Sequence, residues 1–84
     1  MDEAKHEIDW YARRSELEPG MVFRCVFGGF VKLDQRTEGD GTKWDVADWN
    51  DYTKGWSYEG STVEPGDLQG EPIHDLPSAI ARAA

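Results

Sequence analysis

The sequence has a single cysteine, Cys25, so the 84-residue chain cannot form an internal disulfide. Cys25 lies inside the apolar run 21–27, which favours a buried small hydrophobic residue. A nucleophilic thiol would instead need an electropositive, partly open site. A lone thiol is also typical of proteins in a reducing compartment, so we predict a cytoplasmic location.

Long apolar runs are missing as well. No stretch approaches the roughly 20 residues that a membrane-spanning helix needs. The segment 1–7 is polar and rich in acids, whereas a secretory signal begins with basic residues and continues with an apolar run. The sequence therefore predicts a soluble protein with no membrane partner.

Residues with the spacing of a catalytic site are also lacking. The two histidines, His6 and His74, are far apart in the sequence, and neither has a Cys or His at metal-binding spacing. The serines lack the context of a nucleophile elbow. The glycine-rich segment 39–41 contains Asp40, which would repel a phosphate. We predict that the protein is not an enzyme and has no catalytic residues.

One segment resembles a calcium-binding loop in its length and in the position of its glycine. Residues 34–45 span twelve positions with Gly39 at the sixth, but Arg36 occupies the third position and Asp45 stands where the loop needs Glu. The segment therefore does not supply the ligands that a calcium-binding loop needs. We predict no metal site and no cofactor.

Basic residues are scarce, and acidic residues are abundant. The chain has 17 acids against 9 bases, a net charge of −8, and no Lys or Arg lies between Lys54 and Arg82. A protein that grips nucleic acid needs Lys and Arg to displace counterions, so direct nucleic-acid binding is not expected. An acidic surface favours a cationic partner such as a basic protein surface. Solubility alone is the other interpretation of these acids.

Aromatic residues are plentiful: four Trp, three Tyr and three Phe. Trp44 and Val46 alternate on one strand face, and Trp56 and Tyr58 do so on another, which predicts that they belong to the core. Trp49 and Tyr52 flank a turn and are better candidates for exposure. For this pair both interpretations stay open, a binding role and core packing.

The chain is short enough to form a single domain over residues 1–84. Apolar periodicity predicts a short helix over 3–14, packed through Ile8 and Tyr11. Strands are predicted over 21–27, 30–34, 43–49, 56–59 and 61–63, with Gly28-Gly29 as a hairpin turn. The Ala-rich tail 78–84 predicts a helical turn, with Pro77 tolerated in its first turn. We therefore divide the chain into an N-terminal helix at 1–16, a β core at 17–68 and a C-terminal extension at 69–84.

This order of strands and turns resembles an SH3-like barrel over residues 17–68. It begins at Leu17-Glu18-Pro19-Gly20, bends at Gly28-Gly29, and ends at Glu64-Pro65-Gly66. The resemblance implies a mainly β (α+β) fold, a small antiparallel barrel of 4–5 strands with short terminal helices. The paired Trp-Trp and the Ala-Leu-Tyr-Asp-Tyr type motif of signalling SH3 domains are absent.

These features predict a non-enzymatic acidic binding protein that docks on a basic protein surface. Its most concrete form is a nucleic-acid mimic, which would inhibit a nucleic-acid-binding protein. In size and charge the chain is similar to the small acidic inhibitors of phages and mobile elements, including anti-CRISPR proteins. The alternatives are an SH3-like or Tudor-like reader of a basic, methylated or Pro-rich peptide, and an assembly subunit. The candidate binding residues are Asp45, Asp48, Trp49, Asp51, Tyr52, Trp56, Glu59, Glu64 and Asp67.

Overall fold

A computed structural model describes residues 8–37 and 39–83. The described chain is mainly β, with a six-stranded antiparallel sheet and one short α-helix. The strands are β1 (Val22–Cys25), β2 (Phe30–Arg36), β3 (Trp44–Asn50), β4 (Gly55–Ser57), β5 (Thr62–Val63) and β6 (Leu68–Gln69), and the helix is α1 (Leu76–Ala83). Short 3-10 helices lie at Arg14–Glu16 and Pro65–Asp67.

The sheet order is β4-β3-β2-β1-β6, and β5 also pairs with β3. β4 occupies the C-terminal half of the β3 edge, with Trp49 opposite Trp56, and β5 occupies the N-terminal half, with Trp44 opposite Val63. On the far side of the sheet β6 pairs with β1, so that Cys25 lies opposite Leu68. No strand pairing within residues 8–37 and 39–83 joins the two outer edges, so the sheet is open in the part of the chain that the structure describes.

The sheet must nevertheless be strongly coiled, because a short connection links its two edges. Val63 lies on the outer edge of β3 and Leu68 on the outer edge of β1, four strand spacings apart in the sheet order. In a flat sheet that separation would be about 19 Å. Five residues reach only about 17 Å when fully extended, and here the connection contains the 3-10 helix Pro65–Asp67. Coiling therefore brings the two edges towards each other.

The main core fills one face of this coiled sheet. It contains residues from five of the six strands and two residues that precede β1: Trp10, Leu17, Phe23, Cys25, Val31, Leu33, Trp44, Val46, Val63 and Leu68. The predicted burial of Cys25 is confirmed, and so is the placement of Trp44 and Val46 on one buried face. The alternation along β3 arises because successive strand residues point to opposite faces.

Several predicted elements differ from the structure. The N-terminal helix is not confirmed: residues 1–7 lie outside the described residues, and residues 10–13 form turns before the 3-10 helix. Packing through Tyr11 is wrong, since Tyr11 is exposed and Trp10 is buried instead. Trp10 stacks edge-on against Phe23 at 5.2 Å between ring centres, and its Nε1 donates to the Gly70 oxygen at 2.9 Å.

The other predicted elements are confirmed with changed limits. Gly28 and Gly29 form the β1–β2 hairpin turn, with φ of 102° and 79°, in the left-handed region that glycine adopts without strain. The C-terminal helix begins at Leu76, earlier than predicted, with Pro77 in its first turn. After β5 the chain forms the 3-10 helix Pro65–Asp67, followed directly by β6, a strand that was not predicted from the sequence.

Candidate functional site

The two candidate tryptophans form a packed pair on the sheet face opposite the main core. Trp49 and Trp56 are direct partners on β3 and β4, and their rings meet edge-on, with 5.3 Å between centres and 72° between planes. Both are half-buried. Both interpretations of Trp49 were open; β3 continues one residue past the predicted strand, to Asn50, and holds Trp49 half-buried in the sheet.

Trp56 also departs from its predicted position, together with Tyr58. Trp56 is half-buried outside the main core, and Tyr58 follows the end of β4 with 62% of its surface exposed. β4 ends at Ser57. The alternation predicted through residue 59 therefore does not form, and Tyr58 has no buried strand face on which to lie.

The tryptophan pair has a cation of its own chain over one ring and a cavity beside the other. The Lys32 ammonium lies 5.1 Å from the centre of the Trp56 ring, within the range of a cation–π contact. A cavity of about 340 Å³ separates Trp49 from Leu76 and Ile80 of α1. The Trp49 Nε1 is buried and has no hydrogen-bond partner among the described residues. Trp49 and the helix thus line the same cavity.

The turn between β3 and β4 presents the candidate Tyr52. Its side chain is 97% exposed, while its backbone nitrogen donates to Asn50 Oδ1 at 2.9 Å. Asp51 pairs with Lys54 at 3.2 Å in the same turn. The predicted exposure of Tyr52 is confirmed, and the ring stands next to a carboxylate that a cation of this chain partly neutralises.

The candidate acids on β3 and in the segment after β4 accept hydrogen bonds from neutral donors. Asp45 accepts from Gln35 Nε2 at 3.2 Å, and Asp48 accepts from Ser61 Oγ at 2.6 Å. Glu59 accepts from Ser57 Oγ at 2.7 Å. Neutral donors fix the orientation of a carboxylate and leave its negative charge uncompensated. These acids therefore keep their attraction for a cation outside the chain.

Glu64 and Asp67 lie at the 3-10 helix, away from the tryptophan pair. The Glu64 backbone nitrogen donates to Asp67 Oδ2 at 2.9 Å, which fixes the start of that helix. Both residues line a cavity of about 340 Å³ together with Phe27, Lys43, Thr62 and Val63. Thr62 lies opposite Asp45 in the β3–β5 register. The nine candidates therefore divide into two neighbourhoods: one at the β3–β4 turn and one around the 3-10 helix.

Phe27 also lies at the second neighbourhood and was not among the predicted candidates. The predicted strand 21–27 included it, but β1 ends at Cys25 and Phe27 lies in the hairpin turn with 80% of its surface exposed. Gly28-Gly29 does not reveal this exposure, because a two-residue turn at the glycines would keep residue 27 in the strand opposite Phe30. The register instead pairs Arg24 with Phe30, so the turn spans residues 26–29. The backbone nitrogen of Val26 donates to the Asp67 oxygen at 2.9 Å and ties this turn to the 3-10 helix.

The basic residues of the chain face aromatic rings more often than carboxylates. Five cations lie within 6 Å of a ring centre, in the pairs Arg13–Trp10, Arg14–Tyr11, Arg24–Phe30, Lys32–Trp56 and Arg36–Trp44. Among residues 8–37 and 39–83 there are two ion pairs between side chains, Arg13–Glu16 and Lys54–Asp51. Most described carboxylates therefore have no cation of the described chain within 4 Å.

Comparison with protein-family profiles, curated proteins and solved structures found no match to this chain. In the part of the chain that the structure describes, no three or more His, Cys, Asp or Glu side chains are grouped so that they could hold a metal ion. No described helix is both long enough and apolar enough to cross a membrane. The case for a function therefore depends on the charges and aromatic side chains described above.

Proposed function

We propose that the protein is a non-enzymatic acidic binding protein that docks on a basic surface of another protein. The observation that carries this proposal is the placement of its cations. The described arginines and lysines lie mostly over aromatic rings, which leaves most of the described carboxylates without a described partner of opposite charge. Such a surface attracts a cationic partner and speeds its association.

In its most concrete form the protein is a nucleic-acid mimic that occupies the basic groove of a nucleic-acid-binding protein. Support comes from the fixed orientation of Asp45, Asp48 and Glu59, which each accept a hydrogen bond from a neighbouring side chain. Carboxylates held on a sheet lose less conformational entropy on binding than mobile ones. We also propose that the coiled sheet is an SH3-like barrel, and the short connection from Val63 to Leu68 supports this arrangement.

The test is competition with DNA under controlled salt. The immobilised protein captures partners from a cell lysate at low salt, and a salt gradient releases them for identification by mass spectrometry. We expect the captured partner to be a nucleic-acid-binding protein that moderate salt releases from the immobilised chain. We also expect DNA to compete with this chain for the purified partner. A complex that is indifferent to salt and to DNA would contradict the proposal and favour an assembly subunit.

Matched variants connect this binding to the carboxylates. Glu59→Gln and Glu64→Gln remove exposed charges from the region that contains no Lys or Arg. Glu18→Gln removes an equally exposed charge from outside that region. We expect the first two changes to weaken the complex and reduce its salt dependence, while Glu18→Gln leaves both within about twofold of the unchanged protein.

A reader of basic or methylated peptides is the second candidate, and the exposed Tyr52 beside Asp51 favours it. The tryptophan pair contributes less to such a site, because both rings are half-buried and Lys32 already lies over the Trp56 ring. If the protein is a reader, Tyr52→Ala should abolish peptide binding and leave the fold intact. An acidic mimic should respond to Glu59→Gln and tolerate Tyr52→Ala.

A further inference from the structure

The β1–β2 hairpin turn presents an apolar side chain beside carboxylates. Phe27 is 80% exposed and Val26 is 45% exposed, so the tip of this turn, defined as residues 26–29, leaves two large apolar residues in water. Glu64 and Asp67 line the cavity next to Phe27. Aromatic residues, including Phe, are enriched in protein interfaces relative to the rest of the surface.

The hairpin tip is held in a defined conformation by its own backbone. Cys25 N donates to the Gly29 oxygen at 3.1 Å, and Gly28 N donates to the Cys25 oxygen at 2.9 Å. A further bond from Val26 N to the Asp67 oxygen, at 2.9 Å, fixes the tip against the 3-10 helix. Phe27 is therefore presented on a preorganised turn, which lowers the entropic cost of using it in an interface.

The charges around the cavity indicate which occupant fits. Glu64 and Asp67 contribute two carboxylates, and Lys43 contributes one ammonium. Asp45, opposite Thr62 in the register, adds a further acid beside the cavity. A segment with an arginine or lysine next to an apolar residue would meet these carboxylates with its cation and Phe27 with its apolar side chain.

We propose that the hairpin tip and the adjacent cavity dock a protein segment in which basic and apolar residues adjoin, with Phe27 as the anchor. This inference rests on the proposed function, because it assigns the partner's chemistry and the contact point for an acidic binding protein. It differs from the bare charge model in one measurable respect: affinity depends on Phe27 as well as on carboxylates.

The experiment uses two synthetic peptides of equal length and charge, one alternating Arg and Leu and the other alternating Arg and Ser. Binding to the full chain is measured by fluorescence anisotropy at low and moderate salt. We expect Phe27→Ser to lower the affinity for the Arg-Leu peptide by about tenfold or more. The same change should leave the affinity for the Arg-Ser peptide within about twofold of that of the unchanged protein.

Tyr58→Ser is the matched control, because Tyr58 is another exposed aromatic residue beside an acid, Glu59, and is not a candidate binding residue. We expect it to leave the affinities of both peptides within about twofold. The chain has three phenylalanines, so fluorinated phenylalanine gives three resonances for fluorine NMR. The Arg-Leu peptide should shift the Phe27 resonance, and the signals of Phe23 and Phe30 should show that Phe27→Ser leaves the fold unchanged.

The outcomes separate this inference from the proposed function. If neither peptide binds the unchanged protein at low salt, both proposals fail. If both bind but Phe27→Ser has no effect, or Tyr58→Ser weakens binding equally, the acidic-binding function stands and the anchor is overturned. If sedimentation shows self-association that Phe27→Ser abolishes, the occupant is a second copy of this chain and the inference is likewise overturned.

Discussion

Trp10 shows how a single side chain can attach a segment without regular structure to a sheet. It is 2% exposed, stacks on Phe23, and donates its indole hydrogen to the Gly70 oxygen. The Arg13 guanidinium covers the ring at 4.7 Å from its centre. One residue thus joins the chain before β1 to the main core and to the loop after β6.

We predict that Trp10→Ala lowers the free energy of unfolding by about 3–5 kcal/mol, because it removes a large buried side chain and leaves a cavity. Trp10→Phe should retain part of the ring packing but lose the hydrogen bond to Gly70. The unpaired Gly70 carbonyl should lower the free energy of unfolding of this variant by about 1–3 kcal/mol. Urea unfolding followed by fluorescence or circular dichroism measures both changes.

The neighbouring Tyr11 supplies the control for that measurement. Tyr11 is 51% exposed. Tyr11→Ala should therefore lower the free energy of unfolding by well under half of the decrease caused by Trp10→Ala. Equal losses at the two positions would contradict the assignment of Trp10 as the residue that attaches this segment.

At the scale of elements, α1 depends on the residue before its first turn. Asp75 accepts hydrogen bonds from Ser78 Oγ at 2.8 Å and from Ser78 N at 3.3 Å, as an N-cap residue does. The Ser78 hydroxyl bond, with help from the backbone bond, holds the pKa of the Asp75 carboxyl below its ordinary value. The ionised carboxylate is therefore the form that stabilises the helix.

We predict that acidification frays α1. Because the folded-state pKa is depressed, the stabilisation is complete above the pKa of an unfolded aspartate, about 4, and is lost as the pH falls through the lower folded value. The amide signals of Ser78 and Ala79 in NMR spectra should follow this loss. Asp75→Asn keeps a capping oxygen that does not titrate, so its helix should lack this acid transition. An identical transition in both proteins would exclude Asp75 as its source.

Sequence patterns predicted those elements whose signals are local. The alternation of Trp44 and Val46 predicted β3, and the glycines predicted the β1–β2 hairpin. The Ala-rich tail with Pro77 predicted α1. β6 was missed because its two residues become a strand only by pairing with β1, which is distant in the sequence. Propensity is a weak guide for so short a segment, since tertiary context decides it.

The candidate site was predicted less well than the fold, for a similar reason. The exposure of Tyr52 followed from its turn, and the position of Trp49 was left open between exposure and core packing. Phe27 was included in a predicted strand that ends two residues earlier in the structure. A strand end decides whether the next aromatic residue packs or projects, and short-range patterns place such ends poorly. The contact of Lys32 with Trp56 depends on the β2–β3–β4 order, which no local pattern contains.

At the scale of the whole molecule, the net charge of −8 opposes the compact state. The described ion pairs are few, so we expect self-repulsion to be strong at low ionic strength. The Debye length falls from about 30 Å at 0.01 M salt to about 3 Å at 1 M. We therefore predict that the melting temperature rises with sodium chloride concentration.

A variant of lower charge gives the control. Glu18→Gln, Asp34→Asn and Glu59→Gln together change three exposed acids, which takes the net charge from −8 to −5. This variant should melt at a higher temperature in low salt and respond less to added salt. A salt response equal to that of the unchanged chain would contradict self-repulsion as the cause.

The pairing of β6 with β1 has a consequence for folding kinetics. The pairings from β1 through β4 join strands that follow one another in the chain, whereas Cys25 and Leu68, from β1 and β6, are 43 positions apart. Pairings between distant residues form slowly because the intervening loop must first close. β6 therefore docks late, and until then β1 is a free edge that another chain could pair with. The last few strand residues would thus protect the newly made protein from aggregation.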